Sequence, residues 1–180
     1  MVLSQSTIFI TVLNTSTMAK SSKLVKIMQS ELPVMSFQRR FLYRTSEKEV
    51  AALYRLLNRE IFNGKLPTPV FEIGQCRNYW GFCYGKDFNA DNGDRSKCII
   101  RLSDKWCCKQ WLVTILAHEM CHQYQWDVYS KNRVKQGLEP MMSHGPSFFK
   151  YKEKLAKRGI ALKIRYSLAE WFTYQDFAKC

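Results

Sequence analysis

The sequence predicts one α+β domain, on three observations. Apolar residues recur at helical spacing in three separate segments, short β-prone runs bounded by Gly, Pro and Asn lie between the first two, and 180 residues leave room for little more than one core. The chain is 46% apolar and 14% aromatic, enough to fill such a core, which excludes wholesale disorder. No uninterrupted apolar run approaches the roughly 20 residues of a membrane span.

Residues 1–40 read as an amino-terminal extension, poorly ordered by composition, and the domain is expected over 41–180. The first thirty residues contain no acid, are rich in Ser and Thr, and carry Lys20, Lys23 and Lys26. The short apolar run from Ile8 to Leu13 precedes these lysines, the reverse of a secretory leader, and Met18 offers a second plausible start. Ser46 and Glu49 then form a Ser-x-x-Glu capping pattern. Val50, Leu53, Tyr54, Leu57 and Ile61 line one face of the helix that follows, which Asn63-Gly64 ends and Pro67 prevents from resuming. Pro69 to Ile73, Tyr79 to Tyr84 and Lys97 to Leu102 read as strands, with Asp87 to Ser96 a polar turn region around Asn92-Gly93.

A second helix is expected from Ser103 or Asp104, either of which can cap it, to about Tyr129. Residues 130 to 143 read as a polar loop with Gly137 and Pro140. A third helix opens near Pro146 and closes at Arg158-Gly159, and Ile160 to Tyr166 alternates as a last strand. The aromatic tail, with Trp171, Phe172, Tyr174 and Phe177, is expected to fold back onto the body. The seven cysteines are odd in number and form no Cys-x-x-Cys, which argues against a zinc ribbon or a redox motif and for reduced thiols in an intracellular protein.

Histidine is scarce, and its three positions carry the chemistry: His118, His122 and His144. Leu116-Ala117-His118-Glu119-Met120-Cys121-His122 places His-Glu-x-x-His inside the second helix. Residues four apart share a helix face, so two imidazoles can grip one zinc ion while Glu119 leans over the open position. Catalytic zinc takes three protein ligands and a water, so a third ligand must come from elsewhere. His144, beside Gly145 and just before the third helix, is preferred; Glu139, in a solvated Gly-x-x-Pro loop, is the competitor. So apolar a helix does not hold two imidazoles and a carboxylate without a purpose. A closed structural site would need a fourth ligand, and Cys121 points away from both histidines, so an open, catalytic site is favoured.

These residues, together with Phe62-Asn63-Gly64-Lys65-Leu66-Pro67, Ile99-Ile100-Arg101-Leu102-Ser103 and His144-Gly145-Pro146-Ser147-Phe148-Phe149, make the chain resemble the SprT-like family of zinc metalloproteases. The likeness spans about Phe41 to Tyr166. It implies a compact zincin-like α+β core, one catalytic zinc at His118, His122 and His144, Glu119 as general base, and substrates bound or crosslinked to DNA. The sequence departs from longer family members in having no Cys-x-x-Cys pairs after His144 for a zinc ribbon.

The charge points the same way. Lys plus Arg number 28 against 15 Asp plus Glu, a formal net charge of +13 that attracts polyanions, nucleic acid first. Between Gly145 and Tyr166 lie Lys150, Lys152, Lys154, Lys157, Arg158, Lys163 and Arg165, with Glu153 the one acid. Lys150, Lys154, Lys157, Arg158, Lys163 and Arg165 are the candidate DNA contacts, with Tyr151 and Trp171 as stacking surfaces. The expectation is therefore a monomeric intracellular zinc endopeptidase acting on DNA-associated proteins, drawn to single-stranded or damaged DNA. The alternatives are a DNA-binding module with a structural zinc and no proteolysis, and a zinc hydrolase of non-peptide substrates.

Overall fold

The computed structural model describes residues 22–31, 43–76, 79–85, 98–138 and 140–167. Among the described residues, nine helices and strands and two tight helical turns surround one long buried helix. The first is α1 (Lys23–Met28), capped by Ser22, whose hydroxyl accepts the Val25 N–H at 3.2 Å. It falls in the segment expected as an extension, yet Leu24 and Met28 are buried in the common core. Gln110 also donates to the Ser30 carbonyl at 2.9 Å.

Helix α2 (Glu47–Glu60) begins as expected, with Ser46 Oγ accepting the Glu49 N–H at 3.3 Å. The Glu49 carboxylate instead turns to Lys109, 2.8 Å away, and so ties α2 to the start of the central helix. The Asn63-Gly64 stop holds: both residues are left-handed (φ 57° and 70°), and the Gly64 N–H returns to the Asn58 carbonyl at 2.9 Å. Asn58 then clamps the turn from its side chain, donating to Leu66 O at 2.8 Å and accepting from Leu66 N at 3.2 Å. Phe62, fully buried at the centre of this turn, meets the Tyr151 ring at 4.7 Å.

The three expected strands form one mixed sheet. β2 (Val70–Gly74) runs parallel to β4 (Ile99–Ser103), and β3 (Gly81–Tyr84) runs antiparallel to β4 on its other side, leaving β3 at an edge. The expected turn at Asp87 to Ser96 lies outside the described residues.

The second helix does not start at Ser103 or Asp104. Ser103 closes β4, and its hydroxyl bridges to Lys105, accepting its N–H at 3.3 Å and donating to its carbonyl at 3.1 Å. Lys105–Trp106 form β5, paired antiparallel with β1 (Tyr43–Arg44). Trp106 is fully buried with its indole N–H on the Ser103 carbonyl at 2.7 Å. Seating a whole indole with its polar atom satisfied outweighs a capping hydroxyl. The helix, α3 (Lys109–Tyr124), therefore starts after Cys108, with no side-chain hydrogen bond at its cap.

Every residue of α3 from Gln110 to Tyr124 is buried, the mark of a helix at the centre of a core rather than on its surface. α3 continues into a π turn (Gln125–Tyr129), closed by the Ser130 N–H on the Gln125 carbonyl at 3.0 Å. The expected polar loop at 130–143 contains a short helix, α4 (Lys131–Lys135), which the polar composition conceals. One buried residue, Val134, anchors it, and Gly137 (φ 71°) caps it.

The third helix opens as a 3₁₀ turn (Phe148–Tyr151), continues as α5 (Lys152–Ala156), and ends at Gly159 (φ 79°). Ile160 to Tyr166 is not a strand. The Tyr166 hydroxyl donates to Ala161 O at 2.9 Å and accepts the Lys163 N–H at 3.0 Å, curling the segment onto itself while Ile160 and Leu162 stay buried. The alternation that suggests a strand records only those two buried side chains. The tail from residue 168 lies outside the described residues. No helix among them is long and apolar enough to cross a membrane.

Candidate metal centre

α3 presents His118 and His122 one turn apart on the same face, and the loop before the 3₁₀ turn brings His144 across to them. His144 Nε2 lies 3.2 Å from His122 Nε2 and 3.4 Å from His118 Nε2. One ligand atom from each ring falls within 4.8 Å of the others, a set that could hold a metal ion. The fully buried Phe148 ring backs the trio, its centroid 4.8, 4.6 and 4.7 Å from those of His118, His122 and His144.

The far nitrogens explain why the near ones converge. His118 Nδ1 meets the Lys163 carbonyl at 3.0 Å, and His122 Nδ1 meets Gln125 Oε1 at 3.1 Å. Both partners are oxygen acceptors, so each Nδ1 carries the proton and each Nε2 offers a lone pair. Burial, with the neighbouring rings adding to it, pushes the His118 pKa down to about 3. Burial likewise takes His122 down to about 4, against the Gln125 hydrogen bond, and lowers His144, assisted by the Arg165 charge nearby. Neutral imidazoles with Nε2 atoms a little over 3 Å apart repel through their lone pairs unless a cation or proton lies between them. This donor set fits a divalent ion of the zinc type, with one side left for a water or substrate.

Glu119 sits beside this trio, almost wholly buried. Burial raises its pKa to about 8, opposed by a backbone hydrogen bond from Cys83 on β3. The strand comes that close because residue 81 has no side chain: a Cβ there would lie 2.8 Å from Ile115 Cγ2 and 3.0 Å from Glu119 Oε1. The result is a cleft of about 450 Å³, with Gly81 to Gly85 along one wall and Glu119, the three histidines, Trp126 and Met142 around it. Three converging imidazoles, a buried carboxyl and a strand edge thus share one opening.

The structure brings His118, His122, His144 and Glu119 together. Glu139, the competing ligand, lies outside the described residues, and Cys121 is buried away from the cluster, its thiol pKa pushed up by that burial. The basic residues are scattered in role. Lys154 donates to Ile61 O at 2.8 Å and Asn63 Oδ1 at 2.6 Å, Arg158 pairs with Glu60 at 3.3 Å, and Lys150 donates to the Tyr124 hydroxyl. Lys157 and Arg165 are exposed, and Lys163 turns its carbonyl to His118. Tyr151 is buried between Phe62 and Tyr124 and offers no stacking surface; Trp171 lies outside the described residues. Sequence reasoning missed Gln125, Phe148 and the Lys163 carbonyl as parts of the site. Gln125 left a signal, one helical turn after His122, and Phe148 another, within the motif that follows His144.

Fold and site together define an α+β protein whose His-Glu-x-x-His helix and the loop carrying His144 form a three-histidine cluster that could hold a metal ion. The model of the SprT-like family matches residues 50–165, and the chain belongs to that family. No curated protein matches it.

Proposed function

We propose that this protein is a zinc-dependent endopeptidase whose substrates are proteins bound or crosslinked to DNA. The observation that supports it is the single cleft in which three Nε2 atoms converge next to the buried carboxyl of Glu119 and along the edge strand β3. A bound zinc ion supplies Lewis-acid activation of a water and of the scissile carbonyl. The chain's own residues do the rest. His118 and His122 keep their protons on Nδ1, held by Lys163 O and Gln125 Oε1, so their orientation costs nothing at the moment of binding. In the metal-free protein burial favours the neutral acid of Glu119; beside a bound cation its ionised carboxylate would take a proton from water and return it to the leaving amine. Gly81 to Gly85 present a narrow wall with little side-chain bulk at its two ends, suited to an extended peptide.

The DNA part of the proposal rests on the net charge of +13 and on the family resemblance. Three of the six candidate contacts are engaged within the chain, so tethering falls to the general field and to exposed residues such as Lys157 and Arg165. The deciding experiment is digestion of a DNA-bound protein by wild type and Glu119→Gln, with zinc content measured on both. The expected result is equal zinc and at least a hundredfold slower cleavage by the variant. Equal cleavage ends the mechanism, and stoichiometric zinc without any cleavage by wild type favours a structural metal in a binding module.

A further inference from the structure

Gln125 is fully buried one helical turn beyond His122, and both its amide N–H groups and its carbonyl oxygen have partners. Oε1 faces His122 Nδ1 at 3.1 Å, while Nε2 donates to the Ser143 carbonyl at 2.7 Å and to Ser147 Oγ at 2.7 Å. These contacts fix which way the amide points. Reversed, it would set its carbonyl oxygen against the Ser143 carbonyl, acceptor against acceptor. With Nε2 committed to Ser143, Oε1 must take the proton of His122 Nδ1, and His122 Nε2 must turn its lone pair to the cleft.

The same amide grips the chain on both sides of His144. Ser143 immediately precedes that ligand, and Ser147 opens the turn that follows it. The π turn bears on this as well, because its widened register begins at Gln125 itself. A plain structural glutamine would fill a core gap and satisfy itself anywhere. This one joins two metal-ligand elements that are otherwise held mainly by rings packed on Phe148.

We infer that Gln125 is the positioning residue of the metal centre, setting the tautomer of His122 and the placement of the His144 loop with one side chain. The inference rests on the reading that the three histidines bind a metal. Second-sphere partners of this kind are worth about 10- to 100-fold in metal affinity.

The test compares wild type, Gln125→Met, Gln125→Glu and Ser147→Ala. Zn²⁺ affinity is measured by competition with a chromophoric chelator, and the coordination sphere by the visible spectrum of the Co²⁺ form. The histidine tautomers of the metal-free proteins are read from ¹⁵N spectra. Gln125→Met is expected to weaken Zn²⁺ binding 10- to 100-fold, reduce the tetrahedral Co²⁺ absorption, and lose the pure Nδ1–H form of His122. Gln125→Glu keeps an acceptor for His122 and should recover the tautomer while leaving affinity below wild type, because its second oxygen opposes the Ser143 carbonyl. Wild-type Zn²⁺ affinity and an unchanged Co²⁺ spectrum in Gln125→Met overturn the inference. Should Gln125→Met fail to fold, Ser147→Ala decides: several-fold weaker Zn²⁺ binding supports the role, and unchanged binding refutes it. A wild type that binds no stoichiometric metal overturns the metal reading itself, a failure distinct from the other two.

Discussion

Glu119 gives the sharpest quantitative prediction, because burial leaves its carboxyl a poor acid. In the unfolded chain it ionises near 4.5; in the folded, metal-free protein it holds its proton to about 8. A group whose pKa is raised by folding contributes stability that is full below the unfolded value and is lost as pH rises through the folded one. The loss therefore develops between pH 4.5 and about 8 and amounts to roughly 5 kcal/mol in all, at about 1.4 kcal/mol per pH unit, most of it above pH 5. Gln at 119 keeps the size and removes the titration. His118 and His122, lowered by burial to about 3 and 4, act in the opposite direction: their contribution is present above 6.5 and fades as pH falls. Both proteins share that acid limb, so it cancels in the difference. Urea unfolding of wild type and Glu119→Gln, with chelator and reductant present, is to be followed by circular dichroism at pH 5, 7 and 9. The stability of wild type relative to the variant should fall by about 4 kcal/mol from pH 5 to pH 9. A difference that stays flat across that range refutes the claim that the carboxyl is neutral in the folded site.

Two further outcomes follow from the packing. Gly85→Ala would place a Cβ 2.0 Å from Trp126 Cζ2 and should cost roughly 2–3 kcal/mol in urea unfolding, whereas Gly74→Ala, with nothing within 4 Å, should stay close to wild type. Lys154→Ala removes the donor that caps the end of α2 at Ile61 O and should cost about 1 kcal/mol. Lys157→Ala should leave stability unchanged and lower the salt dependence of DNA binding by about one unit of slope.

What the sequence revealed and concealed divides along physical lines. Helix α2 was legible end to end because its signals are local: a Ser cap, a single apolar face, and a left-handed Asn-Gly stop. The clustering of the histidines was legible because helical spacing alone puts His118 and His122 together, and because His144, preferred to Glu139, sits beside Gly145 just before the third helix. The start of α3 was not, since it is decided by Trp106, whose buried ring packs on Trp80 from a distant part of the chain. The segment 160–166 was misread for a related reason. Period-two burial is shared by a strand and by a curl pinned through a tyrosine hydroxyl, and only the second hands its carbonyl to His118. The basic stretch was overread: a run of positive side chains says nothing of which ones, like Lys154 and Arg158, close the fold against α2.

The same tension runs through α3 as a whole. A helix buried on every face carries His118, Glu119, His122 and Gln123 in its second half, with Gln125 and Asp127 in the π turn beyond, all of them buried. Gln123 donates to Pro67 O and to Asp127, and Gln125 donates to Ser143 O and Ser147 Oγ, so both amide nitrogens are satisfied, although Gln123 Oε1 is buried without a partner. The histidine Nε2 atoms and the Glu119 carboxyl differ: the first converge on one another, and the second is kept neutral by lack of water. At the cleft the converging Nε2 lone pairs oppose one another, and a cation between them would relieve that opposition. Whatever binds the folded site and not the unfolded chain adds RT ln(1 + [L]/Kd) to stability.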